Sequence, residues 1–417
     1  MSQILNQILV LKMQAAYTIY TVLGIAWGDE GKGKIVDSLV QKESGISVTQ
    51  STLSNAKNYS YDKDPTDLSS NSILCARFNG GSNAGHMVRI EATETQPEIK
   101  IPTRQIPSGI ITPGIVCMIG PSSLVNISQL IDEIKSLEEI GIVDIRKRLL
   151  ISDLATIVTT KHIESDIKSE VELKKTNKAI GTTSNGIGPA SASRMARTAT
   201  LVRDHESELQ SLCTIINCVE FFKRHHQIPI KIILEGAQST ELDIYNSNYP
   251  YVTSSTTNHW SIYNLGICPN VEKNILICVT KAYETYVGDV KFQPDDEVYA
   301  KIVTEGKEFG TVTGRRRQVN AFDYERVFHT ICRNCPNNSD PILIINKGDV
   351  LKLVAEKYPQ LNPFLLRKND QISEFISFDS MKEFLIEYFV DHGLKSENII
   401  FSNTPYSDID MWSNIKN

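Results

Sequence analysis

The sequence predicts an α/β protein with a large, mostly parallel central sheet flanked by helices. One observation is a set of short apolar runs at 17–27, 73–78, 115–120, 149–152, 231–235, 274–280, 342–346 and 398–402. They alternate with polar or helix-periodic stretches, the pattern of strands joined by crossover helices. The other is Gly24 to Leu39, GIAWGDEGKGKIVDSL, where an apolar run feeds a glycine-rich turn and then a helix-like segment. Strand, glycine loop and helix together make an anion cradle: backbone N–H groups and the positive helix end face the ligand. In open sheets of this kind, ligands gather at the carboxyl ends of the strands.

In chain order, Gly28 and Gly33-Lys34 satisfy G-x-x-x-x-G-K, but Ile35 stands where a phosphate loop needs Ser or Thr to hold Mg²⁺. The nearest hard oxygen ligand is Asp29, inside the loop. Residues 41–72 are dominated by Ser, Asn, Thr, Asp and Lys and read as a surface insertion. Helical periodicity marks 124–139, 206–222 and 380–390. Residues 237–262, dense in Thr, Ser, Asn and Tyr, suit a ligand-facing loop. No repeat or Pro/Gly-rich linker divides the chain. The expected organisation is a short N-terminal extension, 1–16, followed by one composite domain, 17–417.

A net charge of −6 argues against broad electrostatic binding of nucleic acid. No run of about 18 apolar residues is present to span a membrane. Met1 to Ala16 lacks the basic, apolar and small-residue sections of a signal peptide. Cys75, Cys117, Cys213 and Cys278 sit in apolar runs, as reduced core thiols do. Cys332 and Cys335 form C-x-x-C, without a second pair spaced to complete a zinc site. These features suit a cytoplasmic protein.

Five further segments carry chemistry. Asn79 to His86 is polar and glycine-rich after a strand, and His86 exchanges protons near neutrality. Gly181 to Pro189, followed by Arg194 and Arg197, offers hydroxyls, free N–H groups and guanidinium to a phosphate monoester. Glu235-Gly236-Ala237-Gln238 ends an apolar strand, and the Gln238 amide presents a donor and an acceptor to a purine edge. Thr313 to Arg317 is a cationic cluster after a glycine loop, suited to a small dicarboxylate or phosphate. Asn346-Lys347-Gly348-Asp349 has the N-K-x-D pattern by which GTPases read guanine. The Asp349 carboxylate accepts from N1–H and the 2-amino group, which adenine does not offer.

These blocks, GDEGKGK, NAGH, GTT-x-x-GIGPA, EGAQ, YPYVTSS, TKAYET, FG-x-x-TGRRR and K-x-D, resemble the adenylosuccinate synthetase family from Gly24 to about Pro405. The resemblance implies a P-loop-like GTP-binding ligase fold and the joining of IMP and L-aspartate at the expense of GTP through 6-phosphoryl-IMP. It implies Asp29 as general base and His86 as general acid, with one Mg²⁺ per subunit held by Asp29 and the Gly85 carbonyl. GTP would lie on Gly28, Asp29, Glu30, Gly31, Lys32, Gly33 and Lys34, on Gly85, His86 and Met87, and on Arg317, Lys347, Asp349, Ser402, Asn403 and Thr404. IMP would be met by Asp29, Lys32, Asn83, His86, Thr183, Gln238, Thr253 and Arg315, and by Arg197 of a neighbouring subunit in a homodimer. Aspartate would be clamped by Thr311, Val312, Thr313, Gly314, Arg315 and Arg317.

The chain departs from the family's usual residues at Asn185, Ser239, Tyr286 and Thr404. Two other readings share the motifs. One is a same-fold ligase acting on a different purine nucleotide such as dGMP. The other is a GTP-binding regulatory module, which has no need of His86, Gln238 and the Arg315–Arg317 cluster together.

Overall fold

Each apolar run becomes a strand of one sheet. In the computed structural model, residues 15–413 are described except 177, 311–313 and 337–338. The central sheet has β1 (Ala15–Gly24), β2 (Ile73–Arg77), β3 (Val116–Ile119), β4 (Leu149–Ser152), β5 (Thr214–Ile216), β6 (Lys231–Ser239), β7 (Val271–Lys281), β8 (Ile342–Asn346) and β9 (Ile399–Ser402). Their spatial order is 9-8-7-1-6-2-3-4-5, and every pairing is parallel. Strands covered on both faces need apolar side chains on both. Accordingly Tyr17, Ile19 and Leu23 enter one core cluster, while Tyr20 and Val22 enter the other.

Three local expectations are corrected. The 206–222 stretch is not one helix: a short helix Glu206–Leu209, strand β5 and helix Cys218–His225 share it. Strand β1 starts at Ala15, inside the stretch assigned to the N-terminal extension; residues 1–14 of that stretch lie outside the described residues. His86 is not in a loop but opens a hairpin, His86–Ile90 with Ile99–Thr103. A second sheet of Tyr283–Tyr286, Gln318–Asp323, Leu365–Lys368 and Gln371–Glu374 was not anticipated. Residues 41–72 begin inside helix α1 (Lys32–Ser44), and Val48, Leu53, Tyr61 and Leu68 are buried anchors among their polar neighbours. Among the described residues no helix is long and apolar enough to cross a membrane.

Helix α1 leaves the glycine loop and is almost wholly buried. Its Asp37 accepts hydrogen bonds from Gln41 Nε2 at 2.6 Å and from the Ser407 hydroxyl, pinning the C-terminal segment to the helix. Burial pushes the Asp37 carboxyl up to about 6, against the two hydrogen bonds. A folded-state value above the unfolded one means that Asp37 favours the fold below about pH 4 and loses that contribution as pH rises through 6. Asp37→Asn removes the titration. Its stability relative to wild type is expected to rise by about 2–3 kcal/mol between pH 4 and pH 8, read by urea unfolding at each pH. A difference that is flat with pH refutes the assignment.

Candidate active site

The carboxyl ends of β1, β2, β6, β7 and β8 open on one side of the sheet into a cleft of about 840 Å³. Asp29 and His86 both line it. So do Gly28, Glu30 to Lys34, Asn83, Gly85, Met87, Thr183, Gln238, Thr253, Arg315, Arg317, Lys347, Asp349 and Thr404. Residues from opposite ends of the chain meet there because parallel strands deliver all their carboxyl ends to one edge.

The glycine loop turns through left-handed backbone at Gly28, Asp29 and Gly31 (φ 103°, 61° and 94°). Gly33 is needed for proximity: a Cβ there would come within 2.6 Å of His86 Cβ. Glu30 faces inward. It accepts from the Gly28 N–H (2.8 Å), Lys32 Nζ (2.9 Å) and Ser239 Oγ (2.6 Å). Burial works against ionisation of Glu30, but Lys32 and these hydrogen bonds hold its carboxyl down at about 2. Glu30 therefore ties the loop to β6 rather than reaching for an anion. The departure at Ser239 supplies one of those ties.

Lys34 is also committed. Its Nζ donates to Asn346 Oδ1 (2.6 Å), Ser402 Oγ (2.9 Å) and the Thr404 carbonyl (2.9 Å). These use all three ammonium donors, so Lys34 offers the cleft its positive field rather than a free N–H. Burial lowers it to about 8.

His86 donates or accepts at two buried positions. Nδ1 makes a short contact with Glu235 Oε1, and Nε2 lies 3.3 Å from the Ala237 carbonyl. Glu235 is itself fixed by the Ser108 N–H and hydroxyl, each at 2.7 Å, with Arg77 3.6 Å away. Burial, helped by Arg77, lowers the imidazole to about 4 in the ligand-free cleft. An arriving phosphate anion works in the opposite direction, and both ring nitrogens face oxygens that suit a protonated ring. Glu235→Gln keeps the shape but removes the charge that orients and stabilises the imidazolium. Turnover per folded molecule is expected to fall about 100-fold, with a lowered melting temperature because buried Arg77 loses its counter-charge, measured by steady-state kinetics and calorimetry. Unchanged turnover refutes the pairing's role.

Across the cleft, Asp29 Oδ2 accepts from Arg317 Nε at 2.7 Å, and Arg317 Nη1 reaches Glu308 Oε2 at 2.6 Å. Arg315 Nη1 donates to the Gly181 carbonyl (2.8 Å) and Nη2 to Asp289 (3.2 Å), joining the cationic cluster to the Gly181 loop. Lys347 and Asp349 open helix Gly348–Lys357 at the end of β8, with Lys347 Nζ on the Gly306 carbonyl at 3.0 Å. Gln238 is the unsatisfied member. Both its amide oxygen and its amide nitrogen are buried without a partner, as is Asn83 Oδ1. Buried polar atoms are rarely left so; the Gln238 amide is packed beside Gly80, at the edge of the cleft that its residue lines.

Four expected residues stand outside the cleft lining. Ser402 lies beneath it under Lys34, and Asn403 sits against Gly348. Gly314 and Arg197 are exposed, Arg197 at φ 62° two residues past the end of helix Ile187–Met195. Thr311, Val312 and Thr313 lie outside the described residues. Arg194, a phosphate candidate from spacing, donates instead to the Leu154 carbonyl at 3.0 Å. Of the other departures, Asn185 Oδ1 lies 3.4 Å from Gln129 Nε2, while Tyr286 packs against Trp27 and Phe292. Three charged residues were missed: Glu235, Glu308 and Lys281. The available signal was their position at strand ends or beside named motifs, EGAQ, FG-x-x-TGRRR and TKAYET.

The sequence model described as adenylosuccinate synthetase matches residues 66–214 and 203–357. An adenylosuccinate synthetase of Legionella pneumophila (strain Paris) is 33% identical over 373 residues, covering 79% of this chain and 77% of that protein. The chain belongs to the adenylosuccinate synthetase family. Members of this family are GTP-dependent ligases of purine biosynthesis that use IMP and aspartate, and the chain is a ligase of this kind. An adenylosuccinate synthetase of Phytophthora infestans is 34% identical over 341 residues; the match covers 72% of this chain but only 55% of that protein. Among solved structures, the fully ligated adenylosuccinate synthetase from Plasmodium falciparum superposes with a TM-score of 0.63 at 26% identity, over 80% of this chain and 77% of that one. The cyanophage S-2L succinoaminodeoxyadenylate synthetase bound to dGMP and dATP shares the fold, with a TM-score of 0.58 at 16% identity over 89% of this chain and 99% of that one.

Proposed function

We propose that this cleft joins IMP to L-aspartate in two steps, with GTP as co-substrate. The observation that carries the reading is that Asp29, His86, Lys347 and Asp349, distant in sequence, line one cleft with Gln238. Gln238 pairs with the hypoxanthine edge, aided by Lys32, Asn83, Thr183, Thr253 and Arg315. Asp29 takes the N1 proton. The electron pair released onto O6 attacks the γ-phosphorus, and GDP leaves. The aspartate amine then adds at C6, phosphate departs with O6, and the amine's proton is lost. His86, held by Glu235 at Nδ1, exchanges the long Nε2 contact with the Ala237 carbonyl for the phosphoryl oxygens and donates to them as their charge moves. Gly28 to Lys34, Gly85 to Met87 and Arg317 face the triphosphate. Lys347 and Asp349 read guanine, with Ser402, Asn403 and Thr404 backing that side. Thr311 to Gly314, Arg315 and Arg317 take the aspartate carboxylates.

Mg²⁺ fits the donor set only in part from protein. Asp29 and the Gly85 carbonyl are hard oxygen ligands, and both residues line the cleft. Among the described residues no group of three or more His, Cys, Asp or Glu gathers to hold a metal. Mg²⁺ characteristically keeps waters and substrate phosphate oxygens alongside one or two protein ligands. When bound it neutralises charge on the transferring phosphoryl group.

The composite domain 17–417 works as a cytoplasmic homodimer in this reading. Arg197, exposed and off its own cleft, is free to reach the IMP of a second copy. Ultraviolet absorbance with GTP, Mg²⁺, IMP and aspartate tests the reaction. Product is expected only when all four are present. Product with dGMP in place of IMP, or GTP turnover without IMP and aspartate, sinks the proposal.

A further inference from the structure

Glu308 is fully buried, yet four donors from three parts of the chain converge on its carboxylate. Arg317 Nη1 lies 2.6 Å and Lys281 Nζ 3.0 Å from Oε2; the Tyr283 hydroxyl lies 2.5 Å and Lys347 Nζ 3.8 Å from Oε1. Glu308 also closes the base of the loop that carries the cationic cluster. Its carbonyl accepts from the Arg317 N–H at 3.0 Å, and one step further in, the Gly310 N–H donates to the Arg315 carbonyl at 2.8 Å. Lys281 is the last residue of β7, and Lys347 follows β8. One carboxylate thus ties Arg317 to two central strand ends, and Arg317 in turn reaches Asp29 at 2.7 Å.

Three cations sharing one buried anion leave an excess of positive charge at the cleft wall, which a polyphosphate completes. The carboxylate is not needed to attract that ligand. Its removal strengthens the local positive field. What it supplies is placement: without it, Arg317, Lys281 and Lys347 repel one another and lose their common anchor. Phosphoryl transfer depends on donors fixed where charge develops, so misplacement costs rate rather than binding.

We propose that Glu308 is a positioning residue for the ligase reaction, acting on the transferring phosphoryl group through Arg317 and Lys281. The inference rests on the ligase reading, and the two fail differently. Absence of ligation by the wild-type protein sinks that reading. Wild-type ligation with a fully active Glu308→Gln sinks only this one.

The test is kinetic. Glu308→Gln is expected to lower kcat about 100-fold while the KM for GTP stays within about threefold of wild type or falls. GTP is expected to raise the variant's melting temperature by more than it raises that of wild type, because the ligand now supplies the missing negative charge. In an Arg317→Ala background, Glu308→Gln is expected to cost clearly less than the roughly 100-fold it costs alone, since the Arg317 branch of its action is already gone and only the Lys281 branch remains. A rise in KM without loss of kcat, a smaller GTP-induced thermal shift, or full additivity with Arg317→Ala overturns the proposal. If Glu308→Gln does not fold, Glu308→Asp keeps the charge and draws it back by one methylene. A fall of about tenfold in kcat at unchanged KM is then expected, and wild-type kcat overturns the proposal.

Discussion

Replacing Asp29 with alanine is expected to abolish ligation while GTP still binds. Asp29 stands in left-handed backbone within the glycine loop and lines the same cleft as His86. No other carboxylate of the loop can take over. Glu30 is turned inward and held ionised by Lys32, Ser239 and the Gly28 N–H. A general base contributes about 10²–10⁴-fold, and Asp29 is also the proposed Mg²⁺ ligand, so a loss of at least about 10³-fold in kcat is expected. The fold should survive, because Arg317 keeps its bond to Glu308. Single-turnover ligation and direct GTP binding measure the two halves of the expectation. Wild-type turnover refutes the base.

Asp349→Asn is the second large effect, and it falls on the other substrate. Asp349 lies in the first turn of helix Gly348–Lys357, facing the cleft. In the proposed reading its two oxygens accept N1–H and the 2-amino group of guanine, and the amide replacement loses one acceptor and turns a donor toward those donors. Hydrogen bonds to a charged group are worth about 1.5–3 kcal/mol each, so GTP affinity should fall between about 10- and 10³-fold. ITP lacks the 2-amino group. Wild type should therefore prefer GTP over ITP by about tenfold or more, and the variant should show little preference. Calorimetric titration with both nucleotides decides. Unchanged GTP affinity, or preference retained in the variant, refutes the guanine assignment.

The parallel sheet was legible because its strands are covered on both faces and so appear as continuous apolar runs. Strand β5 escaped because it has only three residues, Thr214–Ile216, set between two short amphipathic helices whose periods join into one apparent helix. The His86 hairpin escaped because its period-two alternation is only five residues long on each strand. In residues 41–72 the buried anchors are single apolar residues in polar surroundings, and no periodicity announces them.

The cleft residues that belong to compact motifs were named from sequence alone. Those that act through distant partners were given no role, even where their motif was quoted. Glu235 meets His86 across 149 positions, and Lys281 meets Glu308 across 27. Lys34 shows the complementary limit. Its motif suggested a phosphate contact, but whether its ammonium is free depends on Asn346, Ser402 and Thr404, more than 300 positions away.

The central claim is that O6 of the purine attacks the γ-phosphate of GTP after Asp29 has taken the N1 proton. IMP carrying ¹⁸O at O6, incubated with GTP, aspartate and the protein, tests it most directly. The account predicts that each phosphate released carries the label, since O6 departs with it when the amine adds at C6. Unlabelled phosphate, with its fourth oxygen drawn from water, would contradict the account.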